Sequence, residues 1–229
     1  MFRLLLKLFF FIIVIAIIVG IFFWGHRAHY LSRYLSKVLN TPTKIEKLHF
    51  KKNDLLIEGV HIFNPKKSKL EEAFATEKIR ITTEPKKLFA KNIIIEEIVI
   101  DAPYIGVELY SADGKQNNWS LMLNQIKSSG SQEPSDTTYL IRHLVLTDVN
   151  VHIYNNITGE TIDSKPIPKI ELKNIGSKKP MSSKMLLAAI MKEVVKEATK
   201  KQGLPGIIEG IKELPQKLKE ISGAKKILP

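Results

Sequence analysis

Three times along this chain, apolar residues fall at the spacing i, i+3, i+5, i+10 and i+12. Ile45, Leu48, Phe50, Leu55 and Ile57 form the first set. Ile95, Ile98, Ile100, Ile105 and Val107 form the second, and Ile141, Leu144, Leu146, Val151 and Ile153 the third. Residues two apart share one side of a strand, because successive side chains leave opposite faces of a sheet. Recurrence at about 50 residues marks stacked copies of one supersecondary unit. The unit expected is strand–turn–strand. In the second copy Asp101-Ala-Pro103 places a corner or bulge, since proline cannot donate to a ladder.

The same alternation predicts strands over residues 44–51, 54–63, 73–83 and 139–154. Residues 161–172 contain Pro166 and Pro168, which suits an edge strand. Residues 121–126 read as a helical turn, and 127–138 (KSSGSQEPSDTT) as a polar, mobile linker with no apolar anchor.

At the N-terminus, residues 8–24 are 17 consecutive positions without a charge, behind Arg3 and Lys7. About 20 apolar residues cross a hydrocarbon core of roughly 30 Å. The run ends in Phe22-Phe-Trp-Gly-His-Arg27, which has no small-residue cleavage site, so residues 1–25 are expected to be an uncleaved membrane anchor. Residues 26–43 follow as a juxtamembrane helix, with Leu31, Tyr34, Leu35, Val38 and Leu39 at helical spacing and Pro42 beyond its end. His26 and His29 read as interface histidines, with no third ligand near them.

Charge is uneven. The chain carries a net +12, and residues 177–229 alone hold 12 Lys against 5 Glu, hence +7. Such a balance favours anionic surfaces, and an anchor at the other end favours lipid over nucleic acid. Ser182 or Ser183 caps a helix ending near Gly203, and a second apolar stripe runs from Ile207 to Ile221. These helices either cap the sheet or lie on a membrane or partner.

Set in order, several of these segments resemble the N-terminal module of the AsmA family. The segments are Val60–Pro65, Ala73-Phe-Ala75 with Ile79-Arg-Ile81, Leu88-Phe89, Ile95-x-x-Ile98-x-Ile100-Asp-Ala-Pro103, and Gly114 with Asn118-Trp119. The resemblance covers about residues 1–125, with an echo to about 176. It implies a protein of the bacterial inner membrane with a curved sheet in the periplasm and a role in moving or organising phospholipid. The positive-inside rule points the other way, because residues 26–52 are richer in Arg and Lys than the short N-terminal flank.

No chemistry-bearing motif appears. Glu96 and Glu97 are neighbours on a strand and do not face each other. Asp101 and Asp148 read as matching turn residues of two repeats, and His61 and His152 as solvent-side. Ser222-Gly-Ala-Lys225 has the S-x-x-K form without its partner motifs. With no Cys, there is no thiolate site or disulfide framework. The expectation is therefore an α+β protein: an N-terminal transmembrane helix, an antiparallel sheet of repeated strand–turn–strand units over 44–176, and C-terminal amphipathic helices over 177–229. It is expected to be non-enzymatic and without cofactor. Phospholipid is the expected partner, sheltered by Ile93, Ile95, Ile105 and Val107; the alternative is a scaffold pairing its sheet edge with an envelope protein.

Overall fold

The computed structural model describes residues 25–65, 68–84, 87, 90–130, 136–162, 164–177, 182–203 and 207, with 127–130 as backbone. Helix α1 spans 25–39. Strands β1 (Thr43–Phe50), β2 (Asp54–Phe63), β3 (Glu72–Thr82), β4 (Asn92–Asp101) and β5 (Tyr104–Leu109) follow. Helix α2 (Asn118–Gly130), strands β6 (Thr138–Asn155), β7 (Glu160–Ile162) and β8 (Ile167–Ser177), and helix α3 (Ser183–Lys201) complete the order.

All eight strands share one sheet, ordered β1-β2-β3-β4-β6-β5, with β7 and β8 also on β6. The 18-residue β6 is its spine. One side of β6 takes β4 and then β5, both parallel to it; the other takes β8 and β7, both antiparallel. β4 and β5 occupy one lane beside β3, in one continuous register (Lys78↔Asp101, Ala75↔Tyr104).

The second and third sequence repeats are direct neighbours in this arrangement. Ile95, Ile98, Ile100, Ile105 and Val107 face Ile141, Leu144, Leu146, Val151 and Ile153 pair by pair. Their apolar rows continue outward. One row runs Leu48, Ile57, Ile79, Ile100, Leu146 and Ile170 across six strands. Burial of such rows against the helices is the main source of stability here, at roughly 25 cal/mol per Å² of apolar surface.

The odd steps in the repeat have a structural cause. Apart from the short β6–β7 ladder, each ladder is interrupted at the same level: Glu46 opposite Gly59, Gly59 opposite Glu77, Glu77 opposite Ala102, Ala102 opposite Asp148, Asp148 opposite Pro168. Gly59, Ala102 and Asp148 have positive φ there (62°, 42° and 50°). A second skip joins Glu96, Arg142 and Asn174, the last with φ 54°. At each skip both facing strands carry one residue out of alternation, so the register is kept while the inward side of each strand changes from odd to even numbers or back. Leu146 and Val151 thus reach the same core although five residues separate them. The first crease crosses the sheet from β1 to β8, and the second crosses β4, β6 and β8.

Three helices cover the apolar face. Asn117 and Ser120 cap α2 reciprocally, Asn117 Oδ1 accepting from the Ser120 N–H (2.8 Å) and Ser120 Oγ from the Asn117 N–H (3.1 Å). Trp119, Met122, Leu123 and Ile126 of α2 are buried. In α3, Ser182 Oγ accepts from the Met185 N–H, Lys200 and Lys201 sit in the last turn, and Gly203 continues at φ 73°. Leu186, Met191, Val194, Val195 and Ala198 of α3 join one core with Val38 and Leu39 of α1.

α1 does something different: it closes the outer edge of β1. Ser32 Oγ accepts from the Ile45 N–H (2.9 Å) and Ser36 Oγ from the Thr43 N–H (2.8 Å). Each hydroxyl donates in turn to the carbonyl four residues earlier, of Ala28 and Ser32. Past the skipped step at Glu46, Arg27 Nε donates to the Leu48 carbonyl. The serines are four apart on a helix and the amides two apart on a strand, so the rises of the two elements match at about 6 to 7 Å.

The fold expectation needs correction. Among the described residues strand exceeds helix, 48% against 28%, so they form a mostly β structure rather than an α+β one. The sheet is mixed, because β4 and β5 run parallel to β6. The second and third repeats are each one creased lane without reversal; only the first reverses, as the β1–β2 hairpin. Among the described residues no helix is long and apolar enough to cross a membrane. The expected anchor lies outside the described residues, apart from Gly25, which opens α1. The stripe from Ile207 to Ile221 also lies outside them, apart from the buried Ile207. The expected turn at 121–126 is a 13-residue helix reaching Gly130, into the segment expected to be a linker.

Candidate functional site

Beneath the start of α2, residues quoted above for their family resemblance meet in a buried knot. Asn118 Nδ2 donates to Asn64 Oδ1 (2.6 Å) and to the Gly106 carbonyl (2.8 Å), while its Oδ1 accepts from the Glu108 N–H (3.0 Å). Trp119 Nε1 donates to the same Gly106 carbonyl (2.8 Å). Asn64 Nδ2 donates to the Leu70 carbonyl, and Glu108 Oε2 accepts from the N–H groups of Lys69 and Leu70. A Cβ on Gly106 would overlap the Glu72 carbonyl oxygen, so only glycine fits. Glu108 is fully buried, and its Oε1 has no hydrogen-bond partner among the described residues. The knot fastens the β2–β3 loop to β5 and α2.

The four side chains expected to shelter lipid are not equivalent. Ile105 and Val107 are 0% exposed, inside the core that α2 and α3 close. An acyl chain reaches them only if those helices lift. Ile95 is half-buried against the same core. Ile93 lies at the rim, where it lines a groove of about 660 Å³ with Ile94, Tyr139, Leu140, Asn174 and Gly176. Burial raises the pKa of the Tyr139 phenol, with a smaller contribution from Tyr34. Tyr34 in turn hydrogen-bonds Ser183 at the start of α3 (2.9 Å).

This rim is one end of the sheet. β4 and β6 begin there at Asn92 and Thr138 and β8 ends there at Ser177, while β1 and β3 run toward it but stop at Phe50 and Thr82, level with Ile98 and Glu97. α1 runs antiparallel to β1, with Ser36 beside Thr43 and Arg27 beside Leu48. Gly25 therefore lies toward the same end. So do the exposed Lys51, Lys52 and Lys91, none of which makes an ion pair among the described residues. Lys87 there is paired with Glu84 at 2.7 Å.

Two other regions gather titratable side chains. A shallow groove of about 790 Å³ between α1 and β1 carries His29, Arg33, Lys37 and Lys44, the last paired with Glu46 at 2.8 Å. His29 meets Tyr30 edge-on at 6.3 Å. On the outer face of the sheet, His143 bridges Glu97 (3.3 Å) and Glu171 (2.7 Å), and Glu171 also pairs with Lys169 and Lys173. Lys169, His143 and Lys173 together hold the Glu171 carboxyl down at about 2. Glu96 pairs with Arg142 (2.9 Å), and His61 with Glu72 (2.7 Å). Asp101 does not match Asp148 in the structure; its partner is Thr147, and the residue level with Asp148 is Ala102. Among the described residues no group of three or more His, Cys, Asp and Glu is arranged to hold a metal. Ser222 and Lys225 lie outside the described residues.

The rim was missed in the sequence because its members come from separate segments, and only the register of β4, β6 and β8 joins them. No family model matches this chain, and no curated protein and no solved structure matches it either.

Proposed function

We propose that this is a non-enzymatic, membrane-attached protein that binds or organises phospholipid at the bacterial inner membrane, with its sheet on the periplasmic side. The observation that carries the reading is the convergence at one end of the sheet. Gly25, which follows the apolar run of residues 8–24, lies toward the end where Ile93, Ile94, Tyr139 and Leu140 form an open apolar groove. Lipid contact belongs at this rim, since Ile105 and Val107 are closed off. The AsmA-like order of segments supports the envelope setting. α1, which follows the apolar run in sequence, is tied to the sheet by its hydrogen bonds along β1.

The test has two parts. Alkaline phosphatase or a fluorescent protein fused after Pro229 reports the side of the membrane, and lipid extracted from the purified chain is then identified by mass spectrometry. Active phosphatase with a dark fluorescent fusion and co-purified phospholipid is expected. A bright fluorescent fusion, or a lipid-free protein, overturns the reading.

A second reading is a scaffold that pairs through a sheet edge. The observation favouring it is an asymmetry: α1 covers the β1 edge, while the outer edge of the 11-residue β8 has no strand partner among the described residues. An exposed strand edge is a template for another chain. A stoichiometric partner that protects the β8 amides from exchange would establish it.

A further inference from the structure

We infer that the β8 edge from Lys169 to Lys173 selects its occupant by charge: it takes an extended segment of another protein in which two carboxylates flank a cation, and rejects a second copy of this chain. The inference rests on the edge-pairing reading above and names the chemistry of the partner. The direction of each backbone group on β8 follows from β6. In a strand the N–H and C=O of one residue point to one side, and those of its neighbours to the other. The Thr147 carbonyl accepts from Ala102 and the Asn150 N–H donates to Pro103, both in the lane of β4 and β5. Leu144 and Leu146 therefore address β8, where they pair with Leu172 and Ile170. Lys169, Glu171 and Lys173 are left pointing to the open side. α3 reaches only the near part of that side: Lys201 Nζ donates to the Lys169 carbonyl (2.6 Å) and Gln202 Nε2 to the Lys165 carbonyl (2.7 Å). Past this clamp the outward backbone groups of Glu171 and Lys173 meet no hydrogen-bond partner among the described residues. Other edge stretches are stopped by side chains. Ser32, Ser36 and Arg27 close β1, and Asn118 and Trp119 take the groups of Gly106 and Glu108 where β5 runs past β3. Thr83 Oγ1 takes the Ile94 carbonyl where β4 does so (3.2 Å), and β7 is only 3 residues long.

The side chains of the open segment stand on the outer face as a Lys–Glu–Lys row, with Glu171 paired to Lys169 (2.8 Å) and to Lys173 (3.3 Å). One carboxylate is shared between two lysines and His143, so the row carries surplus positive charge. Ile170 and Leu172 point to the helix side, Ile170 inside the core and Leu172 half-buried against it. The skipped steps at Pro168 and Asn174 lie symmetrically about Glu171. A second β8 laid antiparallel with its skipped steps aligned therefore sets Lys169 opposite the copy's Lys173, and Glu171 opposite the copy's Glu171. Like charges directly opposite destabilise a strand pair. Sliding the copy by two residues brings Glu171 opposite a lysine but puts the skipped steps against regular ladder. A strand of the pattern Glu–apolar–Lys–apolar–Glu meets neither obstacle. Its carboxylates face Lys169 and Lys173, its cation faces Glu171, and its apolar residues extend the rows that end at Ile170 and Leu172.

The test uses the full chain in detergent micelles and two labelled peptides, Thr-Glu-Val-Lys-Val-Glu-Thr and Thr-Lys-Val-Glu-Val-Lys-Thr. Fluorescence anisotropy gives their affinities, and amide exchange locates them. The Glu-flanked peptide should bind roughly tenfold more tightly, since three cross-strand charge pairs change sign between the two. It should slow exchange of the Glu171 and Lys173 amides and leave that of Ile45, in β1, unchanged. In the exposed triple variant Lys169→Glu, Glu171→Lys, Lys173→Glu the preference should invert, with Ile45 exchange again unchanged as the sign of an intact fold. Equal protection by both peptides overturns the charge selection and leaves edge pairing standing. Self-association that protects Glu171 and Lys173 without peptide also overturns the inference, by making a second copy the occupant. If neither peptide protects those amides, the edge-pairing reading falls as well, so the two failures are distinguishable.

Discussion

Ala102 and Asp148 stand at one level of neighbouring parallel lanes, and both have left-handed backbone, with φ of 42° and 50°. The Ala102 N–H donates to the Thr147 carbonyl (3.0 Å), so the crease is hydrogen-bonded across the lanes. An L-residue held in that region costs about 1–2 kcal/mol. Ala102→Gly removes that cost and adds about 0.5–1 kcal/mol of unfolded-state entropy. The expected outcome is unchanged stability or a gain of up to ~1 kcal/mol, against a loss of about 1–2 kcal/mol for the β-branched Ala102→Val. Denaturant midpoints measure both.

Gly106 separates steric need from backbone need. Its φ is not positive, so the obstacle to Gly106→Ala is steric: the Glu72 carbonyl oxygen, which is backbone and cannot swing aside, and less severely the Tyr104 ring. A loss of about 2–3 kcal/mol is expected, with the β2–β3 loop displaced. Unfolding curves together with amide exchange at Lys69 and Leu70 check it.

Glu108 buries a carboxylate with one oxygen satisfied and the other bare. Glu108→Gln keeps an oxygen for the Lys69 and Leu70 N–H groups and removes the buried charge, so stability should hold or rise by about 1 kcal/mol. Glu108→Ala orphans both N–H groups and should cost about 2–4 kcal/mol. Equal losses in the two variants would show that the carboxylate itself is required.

The edge closure by α1 has a local signature. Ser32→Ala removes the acceptor of the Ile45 N–H, and Ser36→Ala that of Thr43. Each should cost about 1 kcal/mol and speed exchange of its own amide roughly fivefold, leaving β8 amides unaffected.

Glu171 predicts an acid limb. Lys169, His143 and Lys173 lower its pKa from 4.5 to about 2 in the folded chain. A carboxyl depressed on folding contributes stability above its unfolded pKa of 4.5 and loses it as pH falls toward 2. An NMR titration should place its midpoint near 2. Lys169→Ala, removing the largest cause, should move the midpoint up toward 4.5 and narrow the acid-sensitive range.

Strands were legible where alternation met clear stops. The expected β2 limits, 54 and 63, are those observed, with Lys52-Asn53 before the strand and Asn64-Pro65 after it. The α3 boundaries were legible from Ser182 and Gly203. Strand direction was not, because a period of two says which face is buried and nothing about the neighbour. The parallel pairing of the second and third repeats therefore stayed hidden, although their constant offset is what alignment in parallel lanes requires. The odd steps of three and five held the further signal: a strand cannot bury Ile95 and Ile98, or Ile100 and Ile105, on one side without an inserted residue between them. α2 was read too short because its first residues, Asn118-Trp119, look like a turn until Ser120 is seen to cap them. Of the candidate site, Ile93 was legible as apolar and on a strand; its place at an open rim depends on where β6 begins, which local sequence does not specify.

The aligned creases make the sheet's register all-or-none. For β6 to slide by one residue along β4, Asp148 would leave the level of Ala102 and Arg142 that of Glu96, so two rows of inserted residues would fall opposite regular ladder at once. Sliding motion between lanes is thereby blocked, while hinging about the creases is not. Insertions should accordingly be accepted in the exposed turn at 112–113 and refused between Asn92 and Leu109 or between Thr138 and Asn155. A length change there would break the phase of every lane beside it.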